Sequence, residues 1–389
     1  MSSTAKQKLK IIIVAETYPP EINGAARFGQ RLAEGLCQLG HDVYVIAPAS
    51  EKGKSFSTSN HGVTEYRLRS HPILTHSTFR MCFPWQIKKE VKKIFDQVQP
   101  DVVHIQCHFT IGRLAIKESN RRQIPIIATV HVVPENIIPY LPLPNWLINL
   151  LIRYLFYDMR NVLSKVQTIT MPTDLAAKSV SKELNLPIIT ISNGINSEHY
   201  QLKPNEYIDK NNKFIVLFVG RIAEEKHIDI LIKAIAKSPS HLNIYLEIVG
   251  DGEICDKLKN LAKSLNIADK VAFLGVISEE DLRKAYLRAS LFCMPSTAEL
   301  QSLATLEAMS ASLPVILADA LALPHLVIEG KNGYLFQPGN SSELAEKIEI
   351  IKNLSEALRL KMGQASFEMA AQHDIKNTLA RYEALYKGL

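Results

Sequence analysis

Two carboxylates, Glu299 and Glu307, have seven residues between them in Glu299-Leu-Gln-Ser-Leu-Ala-Thr-Leu-Glu307. The apolar run Leu291–Met294 and the turn residues Pro295-Ser296-Thr297-Ala298 precede them, and Ala308-Met309-Ser310 follows. This pattern puts Glu299 in a loop and Glu307 about two turns into a helix, on a related face. Between them, the backbone N–H groups near Ser302, Leu303 and Ala304 form the start of that helix. Its unpaired donors and positive dipole end suit a diphosphate. One carboxylate can then accept hydrogen bonds from sugar hydroxyls and the other from a ribose diol. The alternative is two surface glutamates on an ordinary helix.

A second group, Gly220-Arg221-Ile-Ala-Glu-Glu-Lys226, directly follows the apolar run Phe214–Val219. A glycine at a strand end lets the backbone turn and a ligand approach. Arg221 and Lys226 lie close enough in sequence to enter one crevice. A guanidinium with an ammonium is what a diphosphate leaving group needs as negative charge builds on it. Surface pairing of these cations with Glu224 and Glu225 is the other reading. Gly250-Asp251-Gly252 lacks the third glycine of a dinucleotide fingerprint, so it reads as a turn.

The elements that must position these groups are short apolar runs alternating with amphipathic stretches, the mark of βαβ units and parallel sheets. Strands are expected at 10–16, 42–46, 101–105, 126–129 and 166–171, with a helix at 25–39. Ser192-Asn193-Gly194-Ile195 reads as a strand end running into a turn. The polar stretch Asn205–Lys213 reads as a boundary. The pattern then restarts, with strands at 214–219, 243–249, 271–274, 291–294, 315–318 and 334–336. Helices are expected at 228–236, 255–265, 281–289 and 305–311, and the chain closes with helices at 342–354 and 379–386. The expected fold class is α/β: two doubly wound Rossmann-like domains, with ligand at the carboxyl ends of the strands. The expected division is 1–195 and 196–369, with a C-terminal helix at about 370–389 packing back on the first domain.

The 389 residues suit two domains, and 47% hydrophobic with 22% charged residues is a globular balance. The five cysteines, Cys37, Cys82, Cys107, Cys255 and Cys293, form no CxxC pair, which argues against a disulfide framework or structural zinc. The first apolar run is too short for a secretory leader and no stretch is long enough to span a membrane, so a cytoplasmic protein is expected. A net charge of +6 is compatible with nucleotide phosphates or an anionic membrane surface, and is too small to argue for nucleic acid.

Taken in order, these motifs resemble the family-four retaining glycosyltransferases of the GT-B fold. The resemblance spans nearly the whole chain. It runs from Asn23-Gly24-Ala25 and Ser192-Asn193-Gly194-Ile195 through Val219-Gly220-Arg221 with Lys226, Val249-Gly250-Asp251-Gly252 and Phe273-Leu274-Gly275-Val276. It continues through the glutamate pair, Pro314-Val315-Ile316 and Gly330-Lys331-Asn332-Gly333-Tyr334-Leu335-Phe336. The resemblance implies transfer of a hexose with retention, from a nucleotide-diphosphate sugar to a lipid or glycan acceptor. A UDP-sugar is the expected donor and a GDP-sugar the alternative. No cofactor and no essential metal are implied.

Residue by residue, the resemblance implies that Gly24 lies over the diphosphate and that Arg221 and Lys226, beside Gly220, neutralise it. Glu299 would hold donor hydroxyls and Glu307 the ribose, with backbone near Gly275 and Val276 edging the base. Ser302, Leu303 and Ala304 supply the helix start, and His131, after 126–130, faces the donor sugar. Two departures stand out: Leu300-Gln301-Ser302 replaces a frequent Gly-Phe-Gly, and Asn23-Gly24-Ala25 replaces a frequent double glycine. A nucleotide-sugar epimerase on the same architecture and a non-catalytic sugar-nucleotide binding module stay open as rivals.

The resemblance implies that the acceptor binds the first domain. There Pro134–Pro142 follows His131, and Trp146–Phe156 is apolar on most of a helix. Arg80, Lys88, Lys89, Lys92 and Lys93 lie near Phe79, Phe83 and Trp85. Such segments dock on anionic lipid or, alternatively, form a core helix beside a solvated basic face. With a lipid acceptor the protein would be peripheral on the cytoplasmic membrane face.

Overall fold

The structure, a computed structural model, describes residues 7–21, 23–51, 53–73, 76–134, 144–203, 206, 213–239 and 243–388. Most of Pro134–Pro142 and of the polar stretch Asn205–Lys213 lies outside the described residues. The chain forms two compact units, Met1–Ser192 with Thr378–Leu389, and Asn193–Asn377.

The first unit opens with β1 (Lys10–Val14), α1 (Gly24–Gln38), β2 (Asp42–Pro48), β3 (Phe56–Asn60) and β4 (Val63–Leu68). The pair β5 (His71–Ile73) and β6 (His76–Met81) follows, then α2 (Pro84–Val98) and β7 (Val102–Ile105). It continues with α3 (Thr110–Arg122), β8 (Ile126–Thr129), α4 (Asn145–Leu163), β9 (Thr168–Met171), α5 (Asp174–Leu184) and β10 (Ile189–Thr190). The main sheet runs β10-β9-β8-β7-β1-β2-β4-β3, parallel except for β3. Strands buried on both faces read as continuous apolar runs, which is why β1, β7 and β8 were legible.

Right-handed crossovers put α1 on one face of this sheet and α2 through α5 on the other. Ion pairs tie the second layer together: Arg122 of α3 with Asp96 of α2, and Arg113 of α3 with Asp158 of α4. The edge strand β3 and its neighbour β4 were not foreseen. Strand β3 is exposed along most of its length, and the inward positions of β4 include Glu65 and Arg67, a buried ion pair whose charges mask the apolar alternation. Arg67 also donates to the Pro19 carbonyl at 2.7 Å and lies over the Tyr18 ring, which fixes the loop between β1 and α1.

The second unit contains β11 (Phe214–Val219), α6 (Ile228–Lys237), β12 (Ile244–Val249), α7 (Cys255–Ser264), β13 (Val271–Gly275) and α8 (Glu279–Arg288). It goes on with β14 (Leu291–Met294), α9 (Leu303–Ser310), β15 (Val315–Ala318), β16 (Gly333–Phe336), α10 (Ser341–Asn353) and α11 (Glu356–Ala371). Its sheet is fully parallel, in the order β13-β12-β11-β14-β15-β16. Helix α11 was missed because it exposes Leu358 and Leu360 while burying Gly363, Ala365 and Ser366, so its apolar residues mark no single face.

The last helix, α12 (Ile375–Lys387), leaves the second unit after Asn377 and joins the first. It lies against α1: a Cβ built on Gly35 would stand 2.5 Å from Leu379. Its tyrosines carry the polar part of this docking. The Tyr382 hydroxyl is 3.1 Å from both Thr129 Oγ1 and Thr170 Oγ1. Tyr386 and Thr129 hold the two ring nitrogens of buried His104 at 2.7 and 2.6 Å. Burial pushes the His104 imidazole down to about 3, so it stays neutral and can accept one of these bonds.

Truncating a buried aromatic removes both packing and the partner of two buried hydroxyls. Tyr382→Ala is therefore expected to destabilise the protein by about 3–5 kcal/mol, and Tyr382→Phe by about 1 kcal/mol. Chemical denaturation read by tryptophan fluorescence checks both; an unchanged midpoint for Tyr382→Ala would mean that α12 does not hold the first unit.

Candidate functional site

In the second unit the strand order reverses between β11 and β14, so the loops leaving these two strands flank a crevice at their carboxyl ends. The loop after β11 carries Gly220, Arg221 and Lys226, and the turn after β14 leads to Glu299. The two are joined through the Glu225 carbonyl, which accepts from Thr297 N–H and Ser296 Oγ–H, both at 3.2 Å. His227 Nε2 and Thr297 Oγ1 add a contact of 3.1 Å.

Close backbone packing supports the Arg221 loop from below. Ile222 N–H donates to the Asp251 carbonyl at 2.9 Å. A Cβ on Gly250 would meet Gly220 O at 1.9 Å, and one on Gly252 would meet Ile222 O at 2.2 Å. The glycines of Gly250-Asp251-Gly252 thus let one loop lie flat on the other, in line with the reading of this stretch as a turn.

Lys226 and Glu299 form an ion pair, and both side chains are mostly buried. Arg221 pairs with Glu225 and lies 4.0 Å from Glu253. Helix α9 starts at Leu303, two residues earlier than expected, because Ser302 is its N-cap: Ser302 Oγ accepts from Thr305 N–H at 3.3 Å. That leaves the N–H groups of Leu303 and Ala304 as the first-turn donors. Glu307 is the fifth residue of the helix, a little over one turn in. It is 2% exposed, and its Oε2 accepts from the Tyr286 hydroxyl at 3.1 Å.

Gln301, where the resembling family often has phenylalanine, is buried, and its Oε1 accepts from Asn193 N–H at 2.9 Å. This residue therefore pins Ser192-Asn193-Gly194-Ile195 to the turn before α9. Val276, after β13, is well exposed, and the Gly275 carbonyl accepts from Gly250 N–H at 2.9 Å.

Gly24 and His131 belong to the first unit. Gly24 is the first residue of α1, and Asn23 is the N-cap, its Oδ1 accepting from Ala26 N–H at 2.9 Å. His131 follows β8 and packs on Phe28 with ring centroids 5.0 Å apart; its Nε2 is buried without a hydrogen-bond partner. Burial pushes this imidazole down to about 4, so it is neutral near pH 7 and can accept or donate one bond toward a ligand.

Sequence reasoning missed further polar groups in the first unit. The strand order there reverses between β7 and β1, and Gln106 and Glu16 stand at those strand ends. Gln106 is buried with both amide atoms unpaired, next to Gly29 of α1. Glu16 accepts from the N–H groups of Ile111 and Gly112, at 2.6 and 3.2 Å, at the start of α3. Glu21 has a buried, unpaired Oε2. Desolvation raises both carboxyls to about 7, against the favourable Glu16 hydrogen bonds and the nearby Arg67 and Arg80 of Glu21. A lone polar residue after an apolar run has no spacing signal; the order of the strands is what singles these out. Among the described residues, no three His, Cys, Asp or Glu side chains are gathered to hold a metal, and all five cysteines are free.

Two Rossmann-like units with paired loops at a strand-order reversal define the GT-B class. The solved structures agree. Anabaena HepE in complex with UDP and glucose matches with a TM-score of 0.77 at 19% identity, covering 98% of this chain and 100% of that one. Sucrose-phosphate synthase from Thermosynechococcus elongatus matches with a TM-score of 0.79 at 18% identity, covering 97% and 98%. The model "Glycosyltransferase Family 4" matches residues 22–199, and "Glycosyl transferases group 1" matches residues 201–369. The chain therefore carries a Glycosyltransferase Family 4 domain followed by a group 1 glycosyltransferase domain. Among curated relatives, the alpha-monoglucosyldiacylglycerol synthase of Acholeplasma laidlawii is 28% identical, over 89% of this chain and 87% of the relative. The GDP-mannose-dependent alpha-mannosyltransferase of Mycobacterium tuberculosis is 26% identical, over 85% and 84%.

The raised carboxyls have a pH signature. A group whose folded pKa lies above its unfolded value lends stability below the unfolded pKa and loses it as pH rises through the folded one. Glu16 moves from 4.5 to about 7, so this part of the stability should fall between those pH values. Denaturation midpoints measured across that window should decline less in Glu16→Gln than in wild type; parallel curves would show that Glu16 is not held in a desolvated site.

Proposed function

We propose that this chain transfers a hexose, with retention of anomeric configuration, from a UDP-sugar to a hydroxyl of a membrane lipid. The observation that carries the reading is the second-unit juxtaposition of the Lys226–Glu299 pair with the capped start of α9. A diphosphate seated there would meet the N–H groups of Leu303 and Ala304, the α9 dipole, and the cations Lys226 and Arg221. These are groups that stabilise charge developing on a leaving phosphate. An ammonium has three donors, so Lys226 can serve Glu299 and a phosphate oxygen together. Glu299 is then fixed to accept from donor-sugar hydroxyls. Glu307, steadied by Tyr286, is assigned to the ribose, and the backbone at Val276 to the base. From the first unit, His131 and Gly24 are assigned to the donor sugar and the diphosphate.

Retention follows a same-face path, in which the departing phosphate helps to take the acceptor proton and no protein nucleophile takes part. The lipid acceptor is supported by the relatives whose names specify a glucosylated diacylglycerol, in Acholeplasma laidlawii and in Streptococcus pneumoniae. A UDP donor is supported by the UDP and UDP-glucose bound to Anabaena HepE. A GDP-sugar is the second reading, favoured by the mannosyltransferase relative. We also propose that no divalent metal is required, since the two cations and the helix start supply the positive charge.

The test is a donor screen with UDP- and GDP-sugars against diacylglycerol and glycan acceptors, with the product anomer assigned by NMR. An alpha product from an alpha-linked UDP donor is expected, at a rate unchanged by a chelator. An inverted product, release of an epimer without acceptor, or a strict metal requirement would overturn the reading. Lys226→Ala, Arg221→Ala and Glu299→Ala should each lower turnover by about 10²–10³-fold while the protein stays folded by circular dichroism. Near-normal turnover in these variants would contradict the diphosphate assignment.

A further inference from the structure

Helix α4 of the first unit has a face that is exposed among the described residues. Trp146 is 69% exposed, Leu150 60%, Tyr154 62% and Tyr157 64%, and these four recur at helical spacing on one side. Among the described side chains the other exposed positions of the helix are Asn149, Arg153, Arg160 and Asn161, so these positions include two guanidinium groups and no carboxylate. From Trp146 to Leu155 no residue is fully buried.

The register of α4 against α3 explains this. Arg113, the fourth residue of α3, pairs with Asp158, the fourteenth of α4. Further along, Asn120 Nδ2 donates to the Lys165 carbonyl at 3.3 Å, which keeps the same offset. Helix α4 thus starts about ten residues, or roughly 15 Å, before its neighbour. In a parallel sheet with crossover helices, helix starts lie at the carboxyl edge of the strands. The overhang therefore projects at the edge where Glu16, Gln106 and His131 stand.

Helix α2, on the other flank of α3, adds a second patch at the same edge. Trp85, near its start, is 74% exposed and stacks on Phe83 with centroids 4.9 Å apart. Lys88, Lys89, Lys92 and Lys93 follow on its exposed side, where the one carboxylate, Asp96, is already paired with Arg122.

We propose that the exposed faces of α4 and α2 form one docking surface for an anionic lipid bilayer. Tryptophan and tyrosine settle at the headgroup level, and Lys and Arg beside them are drawn to anionic headgroups. A second copy of this chain fits less well, because a two-fold contact would set the Arg153 and Arg160 faces against each other with no acid between them. Among the described residues no helix is long and apolar enough to cross a membrane, so the surface lies on the bilayer. The inference rests on the lipid-acceptor reading only for its purpose: it would bring the carboxyl edge of the first unit to the depth of a lipid hydroxyl.

The test is cosedimentation of the whole protein with vesicles of phosphatidylcholine alone or mixed with phosphatidylglycerol, without donor or acceptor, so that it is scored apart from transfer. Wild type should pellet with the mixed vesicles, stay in solution with phosphatidylcholine alone, and be released by salt. The triple variant Trp146→Ser, Leu150→Ser, Tyr154→Ser should lose at least tenfold in partition. A separate Lys88→Glu, Lys92→Glu variant should weaken binding by about fivefold or more for each cation removed. Both should keep wild-type hydrolysis of donor in solution, which shows that they are folded. The proposal is overturned if wild type ignores anionic vesicles, if both variants bind as wild type does, or if the triple variant instead splits a dimer seen by light scattering.

Discussion

The ion pair between Lys226 and Glu299 is the contact on which the second unit's site depends. It bridges the loop after β11 and the turn after β14, the two segments that strand order brings together at the reversal. With both groups mostly buried, neither charge is left uncompensated, and breaking one side would strand the other in a poorly solvated place. The pair also sets direction. It holds the Glu299 carboxylate beside the start of α9, where Ser302 caps one amide and leaves the preceding ones for an anion. Gly250 and Gly252 serve the same arrangement from beneath by letting the Arg221 loop lie on theirs without side chains between them.

The first unit is organised around a comparable reversal, between β7 and β1, but its chemistry differs. There the groups are neutral or desolvated: a neutral His131, an unpaired Gln106 amide, and two carboxyls raised toward neutrality. Such a set suits hydroxyl groups better than phosphates, since it offers hydrogen bonds without a fixed positive field. Helix α12, which crosses from the second unit after Asn377, belongs to this unit through Gly35, Tyr382 and Tyr386. The chain thus passes between its two units twice, after Ser192 and after Asn377.

Most of the parallel strands were readable because a strand buried on both faces has no alternative but a continuous apolar run. The loops carrying Arg221, Lys226 and Glu299 were readable because each directly follows such a run. Several of the elements that escaped have a physical reason. Strand β3 is mostly exposed, β4 hides its alternation behind the buried Glu65–Arg67 pair, and α11 distributes small residues where a stripe was sought. Helix α9 begins at Leu303 because Ser302 caps it, and Glu307 within it is buried and accepts from Tyr286. Glu16 and Gln106 are single polar residues whose importance comes from which strands are neighbours, and only the folded topology supplies that. Within the stretch that replaces Gly-Phe-Gly, Gln301 holds Asn193.

The central claim is tested most directly by crystallography of the protein soaked with UDP. The diphosphate should lie against the N–H groups of Leu303 and Ala304 with Lys226 and Arg221 turned onto it, and the uridine should run past Val276. A nucleotide seated away from the start of α9, with the Lys226–Glu299 pair undisturbed and distant from any phosphate, would contradict it.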